Sequence, residues 1–243
     1  LEFNFPYNGT NAPSAYQSMA ITNLFYMNNM MHDIWYHYGF DEAAGNFQAN
    51  NYTGVGEPGD QVIVSVNDPD AACNATAAIV VDGIAPTIEM HPCFFSAPSR
   101  DSSMDHDVLI HEYGHSFLER LLAGPNAQSQ RTGGNGDHVG AIHEGFSDYL
   151  ALWYGMEETF TPEQPNYSGE YFINTPTGIR RNPYAHDLTV NPITFHSWND
   201  DVDPINGPNH AIHAGGEIWA SFLYDLTWEL IFKYGGTRDA DSM

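Results

Sequence analysis

The stretch DHDVLIHEYGHSFLER, residues 105–120, constrains this chain more than any other. It contains HEYGH, residues 111–115, an instance of the H-E-x-x-H pattern. Val108, Leu109, Ile110, Phe117, Leu118, Leu121 and Leu122 give its flanks the apolar character of a buried helix. On a helix His111 and His115 sit one turn apart on one face, where two imidazole nitrogens suit a single zinc ion. Glu112 is angled beside them, within reach of a zinc-bound water, and Gly114 removes a side chain from the crowded second turn. The plainer alternative is a pair of core histidines with an incidental glutamate. It would bury three polar groups without a metal, which is expensive.

A catalytic zinc takes a third protein ligand and leaves a fourth position for water. The metzincin pattern HExxHxxGxxH would need Gly and His where this chain has Leu118 and Leu121, so that solution is excluded. A second segment, AIHEGFSDYL at 141–150, offers a carboxylate instead. Glu144 and Asp148 are one helical turn apart in a run made apolar by Ile142, Phe146, Tyr149, Leu150 and Leu152. Acidic side chains are rarely buried unless something pairs with them. Glu144 would complete a His-His-Glu set, and Asp148 would accept the outer N–H of a ligand histidine. His143 points about 100° away from Glu144 on a helix and is the weaker candidate. The rival reading is a solvated acidic pair.

Elsewhere the pattern is mixed. Ser14 is the expected N-cap of a helical run over residues 15–39, with Met19, Leu24, Met27, Met31, Ile34 and Trp35 as its core stripe and Gly39 as its stop. Residues 45–59, rich in Gly and Asn, read as an irregular surface loop. QVIVSVND, TAAIVVDG and APTIEMHPCFF read as strands. Helices are expected at about 105–123, 143–156 and 208–234. Strands first and helices later favour an α+β class, with a small N-terminal sheet and a mostly helical second half. The expected division is an α/β portion over 1–104 and a helical zinc-site portion over 105–243, together one catalytic domain.

Composition closes off whole classes of function. The 243 residues carry 31 acidic and 7 basic side chains, a net charge of −24, with Lys233 the single lysine. Phosphate contacts need clustered Lys and Arg, so nucleic acid is excluded as a partner, and an anionic membrane surface is disfavoured on the same ground. No apolar run approaches the roughly 18 residues of a membrane span. Cys73 and Cys93 permit one disulfide or two half-buried thiols, and a secreted setting favours the bridge. Asp200, Asp201 and Asp203 in SWNDDVDPINGPNH offer oxygen ligands for calcium, against the reading of a solvated acidic loop. The abrupt start at Leu1 suggests a processed piece of a longer precursor.

HEYGH followed by EGFSD resembles the fungalysin family of secreted zinc endopeptidases, within the thermolysin-like gluzincin group. AITNLFYMNNMMHDIWYHYGFDEAAGNFQ is similar to the family's N-terminal helix and the turn after it. GIRRNPYAHDLTVNPITF resembles the segment after the second zinc-binding helix, and HAIHAGGEIWASFLYDLTWEL the late active-site helix. The likeness covers most of the chain. It implies a zincin-like catalytic lobe in which His111, His115 and Glu144 bind zinc and Glu112 is general base and then proton donor. Asp148 would support His111, and His213 would stabilise the oxyanion, with His210 as its rival. Arg180, or less readily Arg181, would hold the substrate backbone. CNATAAI resembles the edge strand that pairs with extended substrates, which makes Asn74 and Ala75 candidate backbone contacts.

The resemblance further implies secretion, a zymogen with a removed N-terminal pro-region, a monomer, and protein or peptide substrates. SFLERLLAG departs from the family's usual wording, and no tyrosine stands between Ser116 and His143 to assist the oxyanion; Tyr184 is the stand-in. The chain stops at Met243 and is expected to lack the family's C-terminal helical lobe. Two alternatives follow: a zinc-binding fragment with little or no activity, and an aminopeptidase of the same group, for which no acidic grip on a free amine is evident.

Overall fold

The computed structural model describes residues 3–66, 73–95, 97–128, 138–198 and 212–235. Helices and small sheets are mixed along it, as an α+β chain requires. Helix α1 spans Gln17–His37 and buries Ala20, Leu24, Met27, Met31 and Trp35, a stripe at three- and four-residue spacing. Its expected cap, Ser14, instead lies inside a short 3-10 turn, Pro13–Ala15, and the cap position falls to Tyr16 with no side-chain cap bond. Pro13 explains the shift, because its fixed φ suits the first position of a helical turn. Gly39 ends the run at φ +96, a conformation that favours glycine.

The strands are shorter than their apolar runs. β1 (Ile63–Ser65) pairs in parallel with β3 (Thr87–Met90), and β2 (Ala75–Ala77) pairs antiparallel on the other side of β3. β4 (Pro92–Cys93) and β5 (Arg100–Asp101) form a separate antiparallel pair. A disulfide joins Cys73, just before β2, to Cys93 in β4. The run TAAIVVDG leaves the ladder early because helix α2, His106–Ala123, claims its carbonyls. Ser116 Oγ donates to Ala78 O at 3.5 Å, and Arg120 donates to Val80 O at 3.0 Å and Val81 O at 2.9 Å.

The chain divides into two units, residues 1–130 with 169–175, and residues 131–168 with 176–243. In the first, Phe117 of α2 stacks on Trp35 at 5.1 Å and meets Phe40 edge-on at 4.7 Å. The short helix α4, Glu170–Ile173, belongs to this unit. The stretch 45–59 is more than a surface loop, since Asn46 and Phe47 are buried. Buried Glu42 accepts from the backbone N–H of Tyr52 at 2.6 Å and of Thr53 at 2.8 Å. Arg120, with no exposed side-chain surface, gathers Gly45 O, Asp60 and Asp82 as well as the two valine carbonyls.

The second unit is built on α3, His138–Gly155, and α5, Ile212–Tyr234. Helix α3 begins five residues earlier than its motif suggested, and residues 208–211 lie outside the described ones. Leu152, Met156, Tyr184, Ala220, Tyr224 and Trp228 form its core. The helices cross backbone to backbone at two glycines. A Cβ on Gly216 would lie 2.6 Å from Glu144 Cβ, and one on Gly145 would lie 2.7 Å from Trp219 Cβ and collide with Gly216 O.

Candidate metal centre

Helix α2 is anchored at its start by acids. Asp105 caps it, accepting from Asp107 N–H at 3.1 Å, and its second oxygen accepts from Phe172 N–H at 2.8 Å. Burial pushes the Asp105 carboxyl above its ordinary range, and these backbone donors offset part of that rise. Two turns on, His111 and His115 are buried with ring centroids 4.7 Å apart and planes at 89°. Glu112, between them in sequence, is 6% exposed. The one-turn spacing of the motif therefore forms a buried imidazole pair with a carboxylate beside it.

The same unit carries Asn74 and Ala75. Asn74 O accepts from His91 N–H at 3.2 Å, and Ala78 N–H donates to Thr87 O at 2.8 Å. In an antiparallel ladder, hydrogen-bonded residues alternate with outward-turned ones. Residues 74, 76 and 78 thus turn their backbones to β3, while Ala75 and Ala77 turn theirs to the open edge of the sheet, since β2 has no second strand neighbour among the described residues.

In the other unit, Glu144 on α3 is 4% exposed, and its Oε2 lies 3.2 Å from Nε2 of half-exposed His213 on α5. Asp148, one turn further along α3, accepts from Arg180 Nε at 2.6 Å and Nη2 at 2.7 Å, and from the Tyr184 hydroxyl at 2.6 Å. Burial works against the Arg180 charge, but Asp148 outweighs it and holds the guanidinium above its ordinary value. Tyr184, the suggested oxyanion helper, is buried and donates its hydrogen bond to Asp148, so this hydroxyl is committed elsewhere. Arg181 is occupied as well, by Glu217 of α5 at 3.0 Å. His210, Asp200, Asp201 and Asp203 lie outside the described residues.

Glu217 is the residue that the sequence reading missed. It follows His213 by four positions as Asp148 follows Glu144, and it is 3% exposed. Its signal in the sequence is an acid one helical turn past His213 within an otherwise apolar run.

As a donor set, two imidazoles and one carboxylate suit zinc, whose catalytic sites use three such ligands and keep a fourth position open. A buried helix with H-E-x-x-H is the metal-binding helix of one broad class of metallopeptidases. The chain belongs to the fungalysin metallopeptidase family (M36), which it matches over residues 1–243. It is 37% identical to the extracellular metalloproteinase mep of Aspergillus terreus, over 97% of this chain and 36% of that protein. It is 38% identical to the extracellular metalloproteinase MEP of Fusarium vanettenii, over 100% of this chain and 36% of that one. With the probable extracellular metalloproteinase 3 of Trichophyton verrucosum the identity is 37%, over 99% and 36%. The chain thus spans little more than a third of the length of these relatives.

Proposed function

We propose that this chain is the metal-binding, catalytic part of a secreted zinc-dependent endopeptidase, with His111, His115 and Glu144 each offering one donor atom to a single zinc ion. The observation that carries this reading is the buried His111–His115 pair with Glu112 on one helix, in a chain of the fungalysin family. The names of the relatives support secretion; among the described residues no helix is long and apolar enough to cross a membrane. Bound zinc supplies Lewis acidity, polarising a peptide carbonyl and making water a nucleophile near neutral pH.

The chain's own residues do the rest. Glu112 takes a proton from the attacking water and later delivers it to the leaving amine. His213 donates to the oxygen on which negative charge develops. Asp148, fixed by Arg180 and Tyr184, accepts the outer N–H of His111 and so sets its tautomer. Arg180 holds the substrate backbone through Nη1, its Nε–Nη2 edge being taken by Asp148. An extended substrate adds to β2 through the outward backbone of Ala75, while the backbone of Asn74, also expected as a contact, turns to β3 and accepts from His91. A pro-region removed from the precursor, protein substrates and a monomeric state complete the proposal.

The test combines zinc analysis with cleavage-site mapping on a protein digest, with a chelator control. Glu112→Gln is expected to keep its zinc and lose about 10²–10⁴-fold in kcat; near wild-type cleavage by that variant would overturn the assignment. Glu144→Ala is expected to lose the metal itself. Cleavage of end-blocked peptides marks an endopeptidase, and a requirement for a free amine marks the aminopeptidase alternative.

A further inference from the structure

Arg180 and Arg181 are neighbours in sequence but grip acids on different helices. Arg180 takes Asp148, four residues beyond Glu144 on α3. Arg181 takes Glu217, four residues beyond His213 on α5. The second grip is threefold: Arg181 N–H donates to Glu217 Oε1 at 3.1 Å, Nε to Oε2 at 3.0 Å, and Nη2 to Ala214 O at 3.2 Å. The last bond ends on the residue next to His213. Ser221 Oγ donates to Glu217 O at 2.7 Å and accepts from Asn191 Nδ2 at 2.9 Å, which fixes the helix on its following turn.

The crossing makes this grip consequential. Gly145 and Gly216 bring α3 and α5 together without side chains between them. Interlocked side chains ordinarily set the slide and rotation of one helix on another. Leu152, Ala220, Tyr224 and Trp228 interlock the later turns, but at Gly145 and Gly216 no side chains mesh, so the turn that carries His213 depends more on its own polar bonds. His213 itself is half-exposed, so burial does not fix its ring.

We propose that Arg181 and Glu217 are positioning residues that hold the first turn of α5 and thereby place His213 against Glu144 for the hydrolytic step. The inference rests on the peptidase reading above and goes beyond it in giving Arg181 a role on the protein rather than on the substrate. An oxyanion donor works within about 2.7–3.1 Å of its target, and a misplacement of about 1 Å costs on the order of 10² in rate. Because His213 acts as charge develops, the loss falls on kcat rather than KM.

The experiment is a mutant cycle in the zinc-loaded chain, using an end-blocked peptide that the wild type cleaves. Glu217→Gln keeps the shape but not the charge and is expected to lower kcat about 10–100-fold, with KM and zinc content unchanged. In a His213→Ala background the same change is expected to cost less than about twofold. Arg181→Lys keeps the charge and loses the fork; its loss is expected to be smaller and likewise to vanish without His213. The Arg181→Lys cycle decides the matter if Glu217→Gln does not fold. Equal losses in both backgrounds, or a wild-type kcat in both variants, would overturn the proposal and leave the peptidase reading intact. A zinc-loaded wild type that cleaves no peptide would overturn that reading, and this inference with it.

Discussion

Asp101 has no exposed surface, and burial raises its carboxyl above the usual range, against the hydrogen bonds from Ser103. One oxygen accepts from Ser103 N–H at 2.9 Å, and the other has no hydrogen-bond partner among the described residues. With the folded pKa above the unfolded one, the folded state binds the proton more tightly. This contribution is complete below the unfolded value and is lost as pH rises through the folded one. Asp101→Asn keeps the acceptor for Ser103 and removes the buried charge. It is expected to raise the melting temperature at neutral pH by about 2–4 °C, a gain that shrinks on acidification through the carboxylate range. Calorimetry at pH 7 and pH 4 checks both halves. At this scale the sequence told which residue types matter better than what they hold. HEYGH carries its own geometry because a helix fixes a four-residue spacing. GIRR carries none: which arginine meets which acid depends on contacts across more than thirty positions.

Elements were legible where periodicity was strong. The stripe of α1 and the flanks of HEYGH marked helices that the structure bears out to within a few residues. Strands were overread for a physical reason. Apolar runs such as TAAIVVDG suit a strand, but the side chains of α2 capture their carbonyls after Ala77, and no local pattern announces a long-range acceptor. The α3–α5 crossing was equally hidden, because a glycine in a helical pattern signals weakness before it signals contact. Gly216→Ala must push Glu144 and the α3 backbone aside and is expected to cost about 1–3 kcal/mol, seen as a lower melting temperature. Gly155→Ala, with nothing within 4 Å of its new methyl, is the control and is expected to leave the melting temperature level or slightly higher.

For the whole chain the dominant quantity is the charge of −24. Self-repulsion on that scale opposes the compact state, and salt shortens its reach from about 30 Å at 0.01 M to about 3 Å at 1 M. The melting temperature of the metal-free chain is therefore expected to rise with sodium chloride; a flat response would mean that local pairing already neutralises the field. Set against this repulsion is the buried cation Arg120, which ties together distant parts of the chain. Its guanidinium draws together Gly45, Asp60, the valine carbonyls and Asp82, and those two aspartates in turn accept from the amides of Gln48, Glu57 and Gly83. None of these three amides belongs to a helix or a strand. Their hydrogens should nonetheless exchange with solvent more slowly than those of loop amides without such acceptors, because Asp60 and Asp82 are themselves held by Arg120. Loss of the single Arg120 side chain should speed all three together.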